Sequence, residues 1–212
     1  MKSYLIRPAG ALVLALSLAS CGGGDDDKFT VEGYVSGLEY PGLVLQNNGG
    51  QDLTVAPPAK AGEAVKFVFP NKIEYGDTYK VTVKTNPAHQ VCDVSSEAPY
   101  SSADTAGRLS AIDVRMACEV SKHTIGGTIT GLTKDNTGLV LANGPGATFT
   151  PVETALTAAT PFKYTLGQVA YNVTYGVVVV TQPVGRFCTV SNAAGVMGDV
   201  DIDNINVNCV PA

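Results

Sequence analysis

The sequence predicts an all-β chain built of two tandem β-sandwiches. Three observations carry that expectation. A long set of phrases occurs twice, apolar residues recur with a period of two, and Asn, Asp, Gly and Pro mark turns every 8–12 residues or so.

The duplication covers residues 30–120 and 124–210. "VEGYVSGL" (31–38) falls on "IGGTITGL" (125–132), and "GLVLQNNG" (42–49) on "GLVLANGP" (138–145). "YKVTVKTNPAHQVCDVS" (79–95) matches "YGVVVVTQPVGRFCTVS" (175–191) without a gap. "IDVRMACEV" (112–120) meets "NINVNCV" (204–210) at its last residues.

Each element follows from local pattern. Phe29, Val31, the smaller Gly33 and Val35 share one side of a first strand. Leu43-Val44-Leu45 is a second strand and residues 46–50 its turn, where Asn and Gly tolerate positive φ. A phosphate-cradling loop would need a helix after the strand, and neither copy of the phrase is followed by one. "AVKFVF" (64–69) and "FKYTL" (162–166) read as strands. Tyr79, Val81 and Val83 alternate with Lys80, Thr82 and Lys84, a half-buried strand. Its second copy holds Val177-Val178-Val179-Val180, which predicts a strand covered on both faces or lying in an interface. Asn47-Asn48-Gly49-Gly50, Tyr75-Gly76-Asp77 and Asn143-Gly144-Pro145-Gly146 are the turns.

Six or seven short strands in about 90 residues indicate a sandwich of immunoglobulin-like character. The expected domains are residues 29–120 and 121–212, joined through residues 119–123 and set end to end with restricted motion. The cysteine positions and the absence of tryptophan differ from an antibody domain, where a tryptophan packs on an inter-sheet disulfide.

Ahead of the repeats, Lys2 and Arg7 precede an apolar run over residues 9–20. That is the layout of a cleaved secretory signal peptide (1–20), too short to span a bilayer as a helix. Leu18-Ala19-Ser20-Cys21 resembles the lipobox of bacterial lipoproteins. The resemblance implies cleavage before Cys21 and a covalent lipid there, diacylglycerol on sulfur and an acyl chain such as palmitate on nitrogen. Several chains on one residue anchor stably where one is marginal. "GGGDDDK" completes a flexible tether over 21–28. Gly22, rather than aspartate, after the cysteine favours the outer membrane.

The paired phrases themselves resemble tandem Ig-like modules of proteobacterial envelope lipoproteins and larger secreted proteins, with a "GLVLxNNG" strand and a "TxPxxxxCxVS…VxC" ending. The resemblance spans both copies and implies fold and location but no activity, such modules serving as spacers and binding domains. Copy two departs from it with Gly144 where Asn48 stands, and copy one with a longer loop before its last strand.

Of five cysteines, Cys21 is assigned to lipid, leaving Cys92 and Cys118 in copy one and Cys188 and Cys209 in copy two. In an oxidising compartment the economical pairing is Cys92–Cys118 and Cys188–Cys209. Zinc or redox chemistry is disfavoured, because no CxxC exists and the two histidines do not repeat.

Loss of Lys2 and Arg7 with the signal peptide takes the formal charge from −5 to −7. That acidity, without any Lys/Arg cluster, excludes nucleic acid as a partner. His89 lies in a turn whose second copy carries Gly185, and His123 lies in the linker; both read as surface histidines. Serines are plentiful, but no nucleophile elbow appears. Asp199, Asp201 and Asp203 take the first, third and fifth places of an EF-hand-like loop. Asn204 and Val210 occupy its glycine and glutamate places, so the motif fails. A solvated strand edge is the expectation there, with a calcium site as the alternative.

Carbohydrate recognition favours aromatic platforms, and Tyr34, Tyr40, Tyr75 and Tyr100 are the tyrosines expected on loops or faces. The loop over 99–109 is the expected contact surface for a partner. The sequence thus predicts no enzyme and no cofactor beyond the lipid. It predicts a lipid-anchored bacterial envelope protein of structural or protein-binding role, the alternative being a surface adhesin or glycan- or ligand-binding module.

Overall fold

A computed structural model describes residues 28–96, 99–109, 111–151 and 160–212. The expected signal peptide, Cys21 and all but the last residue of the tether lie outside the described residues. Every regular element among those described is a β-strand.

The first copy contributes β1 (Lys28–Phe29), β2 (Val31–Ser36), β3 (Leu43–Asn47), β4 (Gln51–Val55) and β5 (Val65–Val68). It continues with β6 (Ile73–Glu74), β7 (Thr78–Thr85), β8 (Gln90–Val94), β9 (Ala103–Thr105) and β10 (Ile112–Val120). The second contributes β11 (Lys122–Thr130), β12 (Val140–Asn143), β13 (Thr148–Phe149) and β14 (Phe162–Ala170). It ends with β15 (Thr174–Thr181), β16 (Arg186–Ser191), β17 (Ala194–Val196) and β18 (Asn206–Pro211).

The repeat in sequence is a repeat in topology. Copy one forms two four-stranded sheets, β5-β2-β10-β8 and β4-β3-β7-β9. Copy two forms β14-β11-β18-β16 and β13-β12-β15-β17, strand for strand the same order. Between its two sheets each copy encloses its own core. The first is built on Val31, Leu43, Leu45, Val81 and Val114, the second on Ile125, Leu141, Val177, Ile205 and Val207. The period of two explains the inward sets: β2 buries Val31, Gly33 and Val35 and leaves Glu32 and Tyr34 half-exposed. A small extra sheet, β1 with β6, belongs to copy one.

The first and last long strands of each copy run parallel, β2 beside β10 and β11 beside β18. Two glycines make that approach possible. A Cβ on Gly33 would lie 1.9 Å from the Val114 carbonyl oxygen, and one on its counterpart Gly127 would lie 2.1 Å from that of Ile205. Gly37 and Gly131, four residues on, combine positive φ (70° and 79°) with the same crowding against the carbonyls of Cys118 and Cys209. "GxxxG" here is therefore a packing requirement of the close approach between two parallel strands.

The phrase "LVLQNN" also has a mechanical reason. Asn47 ends β3 buried, and its Oδ1 accepts the Lys80 N–H at 3.2 Å, while the Asn48 N–H donates to the Lys80 carbonyl at 2.9 Å. In copy two Asn143 Oδ1 accepts the Gly176 N–H at 2.8 Å, and the Gly144 N–H donates to the Gly176 carbonyl at 3.3 Å. The substitution of Asn48 by Gly144 is conservative in backbone terms, since both are left-handed, at φ 50° and 54°.

Cys92 faces Cys118 on β8 and β10, and Cys188 faces Cys209 on β16 and β18. Both pairs are bonded, with S–S distances of 2.04 Å and 1.95 Å. Each bond joins neighbouring strands of one sheet and pins an edge strand to the strand beside it. Closing loops of 26 and 21 residues stabilises each copy by roughly 3 kcal/mol in the chain-entropy picture.

Two expectations change. Val177–Val180 is not covered on both faces within the chain: Val177 is buried, but Val178 and Val180 are exposed. The linker is shorter than residues 119–123, because β10 runs to Val120 and β11 begins at Lys122, leaving Ser121 alone between strands.

Candidate functional site

A group of polar and aromatic side chains outside the cores lies where the copies meet. It begins at Gln90, the first residue of β8, which is buried. Its Oε1 accepts the N–H groups of Glu39 and Tyr40 at 2.8 and 2.9 Å, and its Nε2 donates to the Gly37 carbonyl at 2.7 Å. That clamp fixes the loop carrying Tyr40.

His89, one residue earlier, holds φ at 57°, where its counterpart Gly185 holds 69°. A left-handed backbone costs a side-chain-bearing residue about 1 kcal/mol relative to glycine. The ring contacts set against that cost cross to copy two. The imidazole lies parallel to the Tyr171 ring, centroids 3.7 Å apart and planes 3° from parallel. Tyr40 meets both rings edge-on, at 5.1 Å from His89 and 5.7 Å from Tyr171. His89 Nδ1 is 2.6 Å from Asp199 Oδ1. The backbone continues the joint: the Ser121 N–H donates to the His89 carbonyl at 2.8 Å, and the Tyr171 N–H to the Ser121 carbonyl at 2.9 Å. The single linking residue is thus held from both copies.

The acidic triad is divided among separate tasks. Asp199 faces His89 of copy one. Asp201 Oδ1 accepts the Thr124 N–H at 2.7 Å, and that bond holds its carboxyl below the usual carboxylate range, with His123, 3.8 Å away, adding to the effect. Asp203 borders a shallow cleft lined also by Thr124, Gly127, Lys163 and Tyr164. The segment is not the expected strand edge, since only Ile202 makes a bridge, to Ile125. Among the described residues no three His, Cys, Asp or Glu side chains are placed to hold a metal ion. Nor are both histidines plain surface residues, since His89 is built into the joint.

The tyrosines separate in the same way. Tyr40 belongs to the joint. Tyr34 and Tyr100 flank the Arg115 guanidinium, at 4.6 and 5.0 Å from ring centroid to carbon, and Arg115 Nη2 donates to Asp113 Oδ2 at 2.6 Å. Tyr75 is exposed and covers Gly107. Part of the expected contact loop is ordered into β9 against β7. Sequence reasoning missed the joint because its key residue breaks the repeat: Gly185 stands opposite His89, and only such departures mark what one copy does alone.

Chemically, the joint is a lock. Among the described residues the His89 ring nitrogens hydrogen-bond to Asp199 alone, and one ring face is taken by Tyr171. No protein-family model and no curated protein sequence matches the chain. The solved structures that resemble it distantly include two. The Bacillus anthracis TIE protein aligns over 86% of this chain at 13% identity and a TM-score of 0.45, and the chain spans 34% of that protein. The major pilin protein T3.2 of Streptococcus pyogenes aligns over 87% of this chain and 97% of its own length, at 10% identity and a TM-score of 0.25.

Proposed function

We propose that the chain is a lipid-anchored envelope protein whose two immunoglobulin-like sandwiches form a non-enzymatic scaffold with a structural or protein-binding role. The observation that carries the reading is the order of parts: a lipobox-like phrase ending at Cys21, a glycine- and aspartate-rich stretch, then two disulfide-pinned copies of one β-fold. Disulfides belong to an oxidising compartment, which agrees with export. The lock at the joint holds two modules in one orientation, as a spacer or a two-part binding surface requires. Residues 29–120 and 121–212 are the two modules, and the outer membrane is the proposed site of anchoring.

Fractionation of cells making the wild-type chain or Cys21→Ser tests the reading. Wild-type protein in the outer-membrane fraction, with the variant in the soluble periplasm or extracellular medium, is the expected result. An identical distribution of the two would remove the anchor from the account.

A surface adhesin or glycan-binding module is the second reading, favoured by one observation. Tyr34, Arg115 and Tyr100 form a half-exposed aromatic and cationic cluster that copy two lacks, having Thr128 and Asn206 at the positions of Tyr34 and Arg115. Glycan-array binding lost in Tyr34→Ala would favour it.

A further inference from the structure

We propose that a cleft beside Arg115, on the outer face of the sheet β5-β2-β10-β8, binds a neutral saccharide. The inference rests on the glycan-binding reading and gives that site a ligand class and contact groups. On β10, Val114 and Met116 are buried, so Asp113, Arg115 and Ala117 face outward. Ala117 lies between Ser36 of β2 and Asp93 of β8. With only a methyl group at its centre, that row floors a cleft of about 310 Å³, walled by Arg115. Small-ligand sites span about 300–1,000 Å³.

The cleft holds polar groups that the fold leaves unused. Arg115 donates through Nε and Nη2 to Asp113 Oδ2, at 3.1 and 2.6 Å. Among the described residues its Nη1 has no partner, while Tyr34 and Tyr100 hold the guanidinium between them. The Asp93 carboxylate likewise has no ion pair or hydrogen bond among the described residues.

Copy two shows that the fold does not need this cluster. Tyr34, Arg115, Ala117 and Asp93 become Thr128, Asn206, Asn208 and Thr189. There the side chains satisfy one another: Thr128 Oγ1 donates to Asn206 Oδ1 at 2.8 Å, and Thr130 Oγ1 to Asn208 Oδ1 at 3.2 Å. In copy one Asp113 Oδ1 is buried without a hydrogen-bond partner among the described residues, a cost to folding. A costly cluster that the sister copy does without points to a ligand.

Charge and hydrogen bonding select that ligand. Asp113 neutralises Arg115, and Glu32 neutralises Lys66 at 2.9 Å, so the cleft is left with the negative charge of Asp93. Sialylated, sulfated and uronate ligands are therefore repelled, and the fixed guanidinium at the wall opposes a cation. The backbone groups of a sheet face are already paired, so a peptide cannot bind here by adding a strand. A neutral sugar fits: one hydroxyl accepts from Arg115 Nη1 while its neighbour donates to Asp93. The ring of Tyr100, 41% exposed beside Arg115, offers a surface for the C–H face of a sugar.

Retention of the full-length chain, in a detergent without a sugar headgroup, on an array of neutral and acidic oligosaccharides tests this. Neutral hexose and N-acetylhexosamine oligosaccharides should be bound, and sialylated, sulfated and uronate ones should not. Asp93→Asn and Arg115→Lys should each weaken binding by about tenfold or more, as loss of a charge-assisted hydrogen bond predicts. The melting temperature of Asp93→Asn should be unchanged, because the carboxylate has no partner to lose, so its weaker binding reports a ligand contact. Binding of acidic glycans alone, lost in Tyr34→Ala, would keep the glycan-binding reading and overturn the neutral ligand. Neutral binding that survives Asp93→Asn overturns the cleft as its site, and an array without any bound glycan overturns both.

Discussion

The imidazole of His89 and the phenol ring of Tyr171 stack in parallel 3.7 Å apart, and through that pair the two halves of the chain are held together. Each residue comes from a different copy, and His89 has Gly185 as its counterpart, so the contact exists once. Aromatic pairs of this kind contribute about 0.5–1.5 kcal/mol beyond their buried area.

Tyr171→Ala should therefore weaken coupling between the copies while leaving both cores intact. Residual dipolar couplings measured on the two halves should fit one alignment tensor in the wild type and two in the variant. His89→Gly should loosen the joint similarly but cost less stability, since glycine removes the left-handed strain at φ 57°. A single shared tensor in both variants would show that the joint is held elsewhere.

The glycines beneath the parallel strands should tolerate nothing larger. Gly33→Ala or Gly127→Ala places a methyl group against a backbone carbonyl, at 1.9 or 2.1 Å, and should destabilise its copy by about 3 kcal/mol or more. Gly49→Ala, in open space at φ 70°, should cost only about 1 kcal/mol. Urea melts of the three variants give the order directly.

Alkaline pH should destabilise the second copy through Tyr164. Burial pushes its phenol up to about 12 from 10, and its hydroxyl donates to the Ile205 carbonyl at 2.8 Å. Between those values the unfolded chain releases a proton that the folded chain keeps, so ionisation favours unfolding. Stability is whole below pH 10 and falls as pH rises toward 12. Melting temperatures across this window should fall less steeply for Tyr164→Phe. Tyr79, raised by burial and by the negative charge of Asp104, adds the same sign of effect in copy one.

Removing one disulfide should be felt locally. Cys188→Ala/Cys209→Ala should lower the stability of copy two by roughly 3 kcal/mol. Hydrogen exchange should accelerate over β16 and β18 and stay unchanged over β8 and β10.

Much of the fold was legible because duplication makes local signals testable against each other. The strand at 43–47, its turn and Cys92 recur at one spacing, and Cys118 recurs at the matching place in the last strand after a shorter loop; a recurring pattern with period two has few structural readings. Other features depend on contacts distant in sequence. Asp199, Asp201 and Asp203 alternate as a strand would, yet Asp199 turns to His89, 110 residues away, and Asp201 to Thr124. Val177–Val180 reads as covered on both faces or lying in an interface, because hydropathy alone does not reveal whether the second cover lies within the chain. His89 reads as a surface residue, because its partners are a tyrosine and an aspartate that no local pattern links to it.

The intact mass of the protein extracted from cells that make it, under non-reducing conditions, tests the central claim most directly. A lipid-anchored, duplicated scaffold predicts a chain starting at Cys21, heavier by a diacylglyceryl and an acyl group. It also predicts a mass four hydrogens below the reduced value, with no thiol open to alkylation. A chain that retains residues 1–20, or free thiols at Cys92 or Cys188, would contradict it.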